Sequence, residues 1–133
     1  MTNLVFFYGT LMSGFQRPGR ARLDHALKPV GRASIQAALF DLGIYPAAIP
    51  AQDSRVWGEV HQMLDEEAVL ATLDEIEGYR ASEPDTSLYT RAEIPVRFAD
   101  GREASAWVYF YNAPLGRAER IQSGDYLEHL RVR

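Results

Sequence analysis

"DEEAVLATLDEIEGY", residues 65–79, reads as the one long helix of the chain. Asp65 stands where an N-cap carboxylate accepts from the first orphan amides, and Glu66 and Glu67 fall in the first turn, where the helix dipole favours negative charge. Gly78 fits the left-handed residue that follows a last helical turn. At about 100° per residue, with Leu73 at zero, Val69 falls at about −40°, Leu70 at about +60° and Ile76 at about −60°. These residues make one apolar stripe of ordinary width. Glu77 falls at about +40°, inside the stripe, on the same spacing. Asp74 and Glu75 fall outside it and are expected to face water.

Strand patterns flank this helix on both sides. "LVFFY", residues 4–8, is a short apolar and aromatic run that stops at Gly9, the pattern of a buried strand. "RVWGEVHQML", residues 55–64, sets Val56, Gly58, Val60 and Gln62 against Trp57, Glu59, His61 and Met63, which is period two. "LYTRAEIPVRFA" and "REASAWVYFYN" read as two strands joined by Asp100-Gly101, a strong hairpin signal. A further strand is predicted over Ala37 to Leu42, ended by Gly43 and Pro46. "RARLDHAL", residues 20–27, is compatible with a short helix. "GTLMSGFQRPG" and "IYPAAIPAQDS" read as loops, because glycine and proline punctuate them. The C-terminal "PLGRAERIQSGDYLEHLRVR" reads as a polar loop and a short last segment. About six strands and one good helix, without regular alternation, predict an α+β domain on a mixed, barrel-like sheet with one main helix and short helices. No linker or repeat interrupts residues 1–133, so a single domain is expected.

The bulk composition narrows the function. Hydrophobic residues are 47 % and charged ones 24 %, which suits a globular core. Cysteine is absent, so disulfides, thiolate catalysis and cysteine metal sites are excluded. The formal net charge is −4, which argues against a nucleic-acid or anionic-membrane partner. The apolar run at the N-terminus is too short for a signal core or a membrane span, so a cytoplasmic protein is expected.

Two local features carry chemistry. Half-burial and the negative end of the helix dipole both raise the pKa expected for Glu77, the profile of a general acid/base. The other reading of the same residue is structural: a carboxylate lifted into solvent past the helix end, or paired with Arg80. In "FFYGTLMSG", a buried strand runs into Gly9, whose flexibility lets successive amides line a concave turn able to hold a carboxylate or oxyanion. "GTLMSG" has the glycine spacing of a phosphate loop, but Phe15 and Gln16 replace the Lys and Ser/Thr that nucleotide binding requires.

"YGTL", "LGIYPAAIP", "VWGEVHQM", "LDEIEGY", "YTRAEIPV", "AWVYFYN" and "SGDY" follow one another from Val5 to Tyr126. In that order they resemble the γ-glutamylcyclotransferase-like family, which includes γ-glutamylamine cyclotransferases and bacterial AIG2-like proteins. The resemblance implies a small α+β domain with a barrel-like core and a pocket at one end. It implies cleavage of a small γ-glutamyl amide by the substrate's own α-amine, giving 5-oxoproline and a free amine without metal, cofactor or covalent intermediate. It places the catalytic carboxylate at Glu77 and the γ-glutamyl-binding turn at Tyr8, Gly9, Thr10 and Leu11. It adds Tyr109 as a pocket tyrosine and Tyr89 as a weaker candidate. The residue-based alternative for both is aromatic core packing with a satisfied hydroxyl. Tyr126 of "SGDY" departs from the tryptophan of many relatives, which bears on substrate preference.

His25, His61 and His129 lack zinc spacing, and no GxSxG elbow accompanies the serines. The basic cluster "RPGRAR", residues 17–22, reads as a solvated loop or a contact for an anionic part of a substrate. A monomer or homodimer is expected. The rival to an enzyme is a non-catalytic small-ligand-binding or interaction module on the same fold. A second enzymatic reading is removal of a γ-glutamyl protecting group from a biosynthetic intermediate.

Overall fold

In the computed structural model, which describes residues 2–12 and 18–132, the sheet closes on itself. The strands are β1 (Leu4–Phe7), β2 (Leu27–Asp41), β3 (Pro46–Met63), β4 (Tyr89–Phe98), β5 (Glu103–Tyr111) and β6 (Glu119–Arg120). Their order is β3-β1-β5-β4-β2, and β2 pairs back onto β3, so five strands make a closed barrel. All pairings are antiparallel except β1 with β5. Strand β6 extends the sheet beside β2 at Phe40 and Asp41, beyond Ala33 and Ser34 where β4 pairs. The helices are α1 (Pro18–Ala21), α2 (Glu66–Glu77) and α3 (Tyr126–Arg131). This is the α+β, barrel-like architecture expected from the sequence. Residues Phe15, Gln16 and Arg17, on which the phosphate-loop and basic-cluster readings partly rest, lie outside the described residues.

Strand β1 explains its own composition. Val5, Phe6 and Phe7 are all buried, because β3 and β5 flank the strand and the barrel and its covering layer take its two faces. The Asp100-Gly101 hairpin forms as read, with Gly101 at φ 93° and the Arg102 amide donating to Asp100 Oδ1 at 3.0 Å. Two stretches differ from expectation. Strand β2 begins at Leu27, not at Ala37, because Lys28 to Arg32 lack apolar alternation and are held by pairing with β3. Residues 46–54, read as loop, belong to β3. Pro46 starts the strand, and Pro50 faces Ala37 at a register shift that leaves residues 51–54 outside the pairing; both are positions where a strand tolerates proline. The helix expected at 20–27 is instead the end of α1 and a single 3-10 turn over Asp24–Ala26.

Helix α2 has the predicted caps. Asp65 Oδ1 accepts from the Ala68 amide at 3.2 Å. Gly78 takes φ 68°, and the Tyr79 amide donates to the Asp74 carbonyl at 2.8 Å. Val69 and Leu73 are buried in the core, and cutting Leu73 back to Ala costs about 2–5 kcal/mol at such a site. Asp74 does not face water as the wheel implied. It is half-buried and engages two residues of the sheet. The "SGDY" stretch closes the fold against β3: the Trp57 amide donates to the Gly124 carbonyl at 2.8 Å, and Tyr126 is buried. Among the described residues no helix is long and apolar enough to cross a membrane.

Candidate active site

A cavity of about 130 Å³ opens where β1 ends, β3 and β4 begin, β5 ends and α2 makes its last turn. Each element arrives for a local reason. Strand β1 delivers its apolar end and then turns, with the Met12 amide donating to the Gly9 carbonyl at 3.0 Å. Arg20 Nη1 holds that turn from outside by donating to the Leu11 carbonyl at 2.8 Å, and its charge is met by Asp24 at 2.7 Å. Gly9 is required by closeness: a Cβ there would lie 2.7 Å from Cγ of Pro46. The last turn of α2 brings Ile76 and Glu77, which is the only charged side chain among the described residues lining the cavity.

The structure brings Glu77, Tyr8, Gly9, Thr10, Leu11, Tyr89 and Tyr109 to this one cavity. Sequence reasoning did not single out Tyr45, Pro46, Ile76 and Leu88, which complete the wall. Tyr45 and Pro46 were hidden in a stretch read as loop. Ile76 was read only as part of the core stripe, and Leu88 carried no signal before the fold was known. Arg80, the alternative partner considered for Glu77, pairs with Glu83 at 3.7 Å on the surface.

Three of the four tyrosine hydroxyls in the wall, those of Tyr8, Tyr89 and Tyr109, have their protons engaged by the protein. Tyr8 donates to the Tyr109 carbonyl at 2.7 Å and accepts from the Ala48 amide at 3.3 Å. Tyr89 donates to the Pro46 carbonyl at 3.2 Å. Tyr109 donates to Asp74 Oδ1. Burial pushes all three phenols well above their ordinary pKa. The Glu77 charge adds to the shift of Tyr8, while Tyr109 is raised further by its bond to Asp74. For Tyr89 the neighbouring Tyr8 and then Glu77 add to burial. These phenols therefore stay protonated at neutral pH and offer lone pairs, not protons, to an incoming group.

Asp74 and Arg91 stand behind the wall. Arg91 Nε donates to Asp74 Oδ1 at 2.9 Å and Nη2 to Oδ2 at 3.1 Å, a two-pronged pair linking β4 to α2. The guanidinium lies over the Trp107 ring at 4.8 Å and the Tyr79 ring at 5.5 Å. No sequence signal pointed to this pair: Asp74 falls outside the helix stripe, on the side expected to face water.

A five-stranded closed barrel with one long helix against it, and the Glu77 carboxylate in a tyrosine-walled cavity at the helix end, defines a class of small α+β protein. The chain belongs to the γ-glutamyl cyclotransferase, AIG2-like family, whose model matches residues 5–128. The γ-glutamylcyclotransferase family protein YtfP of Escherichia coli is 32% identical over 125 residues, covering 93% of this chain and 96% of its own. Its solution structure aligns with a TM-score of 0.67 over 95% of this chain and 97% of that one. The crystal structure of YkqA from Bacillus subtilis gives a TM-score of 0.73 at 24% identity over 99% of this chain, which spans only 42% of YkqA. The crystal structure of an AIG2-like protein from Mus musculus gives 0.69 at 23% identity, covering 92% of this chain and 88% of that one. The last two likenesses speak to the fold alone.

Proposed function

We propose that this protein is a γ-glutamyl cyclotransferase that releases 5-oxoproline and a free amine from a small γ-glutamyl amide, with Glu77 as general acid/base. The observation that carries the reading is the position of Glu77, the one charged side chain among the described residues lining the cavity that the Tyr8–Leu11 turn also lines. Family membership supports cyclotransferase chemistry in general. In the proposed reaction the substrate's α-ammonium first loses one proton to solvent, and the neutral amine then attacks the γ-carbonyl while giving its second proton to Glu77. A carbon–nitrogen bond forms within the substrate, and the original amide bond breaks. Protonated Glu77 returns its proton to the leaving nitrogen, so one carboxyl group serves both steps.

The surroundings support an orientation. The substrate carboxylate or the developing oxyanion is assigned to backbone amides of the Gly9–Leu11 turn, where oriented donors are most effective. The α-ammonium is assigned to the side of the cavity bearing Glu77 and the phenol oxygens of Tyr8, Tyr89 and Tyr109, whose protons are already engaged. Nucleophile and carbonyl belong to one molecule, so holding it curled supplies much of the acceleration.

The test is a panel of γ-glutamyl amino acids and γ-glutamyl amines assayed for 5-oxoproline. The wild-type chain should release it, and Glu77→Gln should lower the rate by about 10²–10⁴-fold with an unchanged circular dichroism spectrum. Equal rates would remove Glu77 from its role. Silence across the panel, together with binding of a γ-glutamyl ligand seen by chemical-shift change, would identify a non-catalytic binding module.

A further inference from the structure

Three contacts converge on the last turn of α2 from outside the cavity. Asp74 lies one turn before Glu77 and receives both prongs of Arg91, at 2.9 and 3.1 Å. Asp74 also accepts the Tyr109 hydroxyl from β5. The Arg91 guanidinium in turn lies over the ring of Trp107 of β5 and over that of Tyr79, which directly follows the Gly78 stop. The guanidinium therefore touches the chain three residues before Glu77 and two residues after it. The two side chains are 18% and 22% exposed, against 61% and 57% for the nearby pair Arg80–Glu83.

We propose that the Asp74–Arg91 pair, with the Tyr109 hydroxyl, is a positioning clamp that fixes the Glu77 carboxylate over the cavity. The role rests on Glu77 being the proton carrier of the reaction proposed above. Glu77 is the last residue of its helix, and the Gly78 and Tyr79 amides that cap the Glu75 and Asp74 carbonyls fix the backbone of that turn. A side-chain grip on the same turn adds to that backbone cap and fixes how the turn sits against the sheet. A guanidinium fork on a carboxylate sets both distance and rotation, which a lysine ammonium does not. The clamp also ties the last turn of α2, through Asp74, to Tyr109, whose backbone carbonyl holds the Tyr8 hydroxyl, so both sides of the cavity share one support. Neither Asp74 nor Arg91 lines the cavity, so they act through Glu77 and not on the substrate.

Arg91→Lys and Asp74→Asn test the clamp: the first keeps the charge but loses the fork, and the second keeps the shape but loses the charge. Each should lower kcat by roughly 10–100-fold with KM within about twofold, the signature of a displaced reacting group. A purely structural pair would change the folded fraction and leave kcat per folded molecule alone. An independent reading comes from protein labelled with carboxyl-13C glutamate, in which the Glu77 resonance is assigned by its loss in Glu77→Gln. That resonance should shift or broaden in both variants while the other glutamates hold. An unmoved Glu77 resonance, or an unchanged kcat in folded protein, overturns the clamp. If the wild type cleaves no γ-glutamyl substrate, the proposed reaction falls, and the Glu77 resonance alone still decides whether the pair positions it.

Discussion

Gly9 sets the tightest steric demand in the cavity wall, because Cγ of Pro46 leaves only 2.7 Å for any Cβ. A proline ring cannot rotate away, so Gly9→Ala must move either the turn or Pro46, whose carbonyl holds Tyr89. The expected cost is about 1–3 kcal/mol, read from the denaturation midpoint, with a raised KM in the 5-oxoproline assay. The phenols give a second expectation. Their pKa values are raised in the folded state, so their contribution is complete below about pH 10 and is lost as pH rises beyond it. Phenolate absorbance should show Tyr8, Tyr89 and Tyr109 ionising only as the protein unfolds; reversible titration in the native state would contradict this. The direction of Glu77 was legible in the sequence because a helix wheel is local. The partners of Tyr8, Tyr89 and Tyr109 were not, since each lies 35 or more residues away. Asp74 differs from expectation for the same reason: the wheel puts it outside the stripe, facing water, and only Arg91 and Tyr109, from other elements, draw it inward.

Elements were legible where capping and alternation were local. Helix α2 needed only Asp65, its stripe and Gly78, and the β4–β5 hairpin only Asp100-Gly101. Strand β3 was cut short because Pro46 and Pro50 look like loop residues; their tolerance depends on β2 supplying a register shift opposite Pro50. Helix α3 shows how such distant support works at the scale of an element. Its cap Asp125 accepts from the Glu128 amide at 3.2 Å and from Arg32 of β2 at 2.8 Å. Burial pushes the Asp125 carboxyl up, but these bonds outweigh it and hold the group below its usual pKa. A lowered folded pKa means stability that is present above about pH 4 and lost as pH falls further. Asp125→Ala should cost about 1 kcal/mol. Asp125→Asn should keep the cap yet lose this part of the acid-side decline, as followed by thermal midpoints from neutral pH downward.

At the scale of the whole molecule, the kinds of element predicted an α+β barrel, but how the ring closes depends on pairings between residues far apart. The seam between β4 and β2 is short: pairing is confined to Ala33 with Phe98 and Ser34 with Arg97, then β2 goes on to β6. Hydrogen-bonded and non-bonded positions alternate along an antiparallel pair. The Phe98 amide donates to the Arg102 carbonyl and the Asn112 amide to the Leu88 carbonyl, so even-numbered residues of β4 bond to β5. Odd-numbered ones point toward the β2 side. Pro95 belongs to that outward set, where its missing N–H breaks no ladder bond. Arg91 and Glu93 therefore present amides to a side where no strand pairs with them among the described residues. Amide hydrogen exchange should alternate, with Arg91 and Glu93 exchanging roughly 100-fold faster than Ala92 and Ile94. Uniform protection along β4 would mean that the seam zips further in solution. The difference bears on the cavity, because β4 also carries Tyr89 in its wall and Arg91 behind it. A strand bonded firmly on one edge only can hold both residues if β5 and α2 supply the rigidity. The register of β4 on β5 puts that support on the edge away from the open seam, and the bonds from Arg91 to Asp74 add α2 to it.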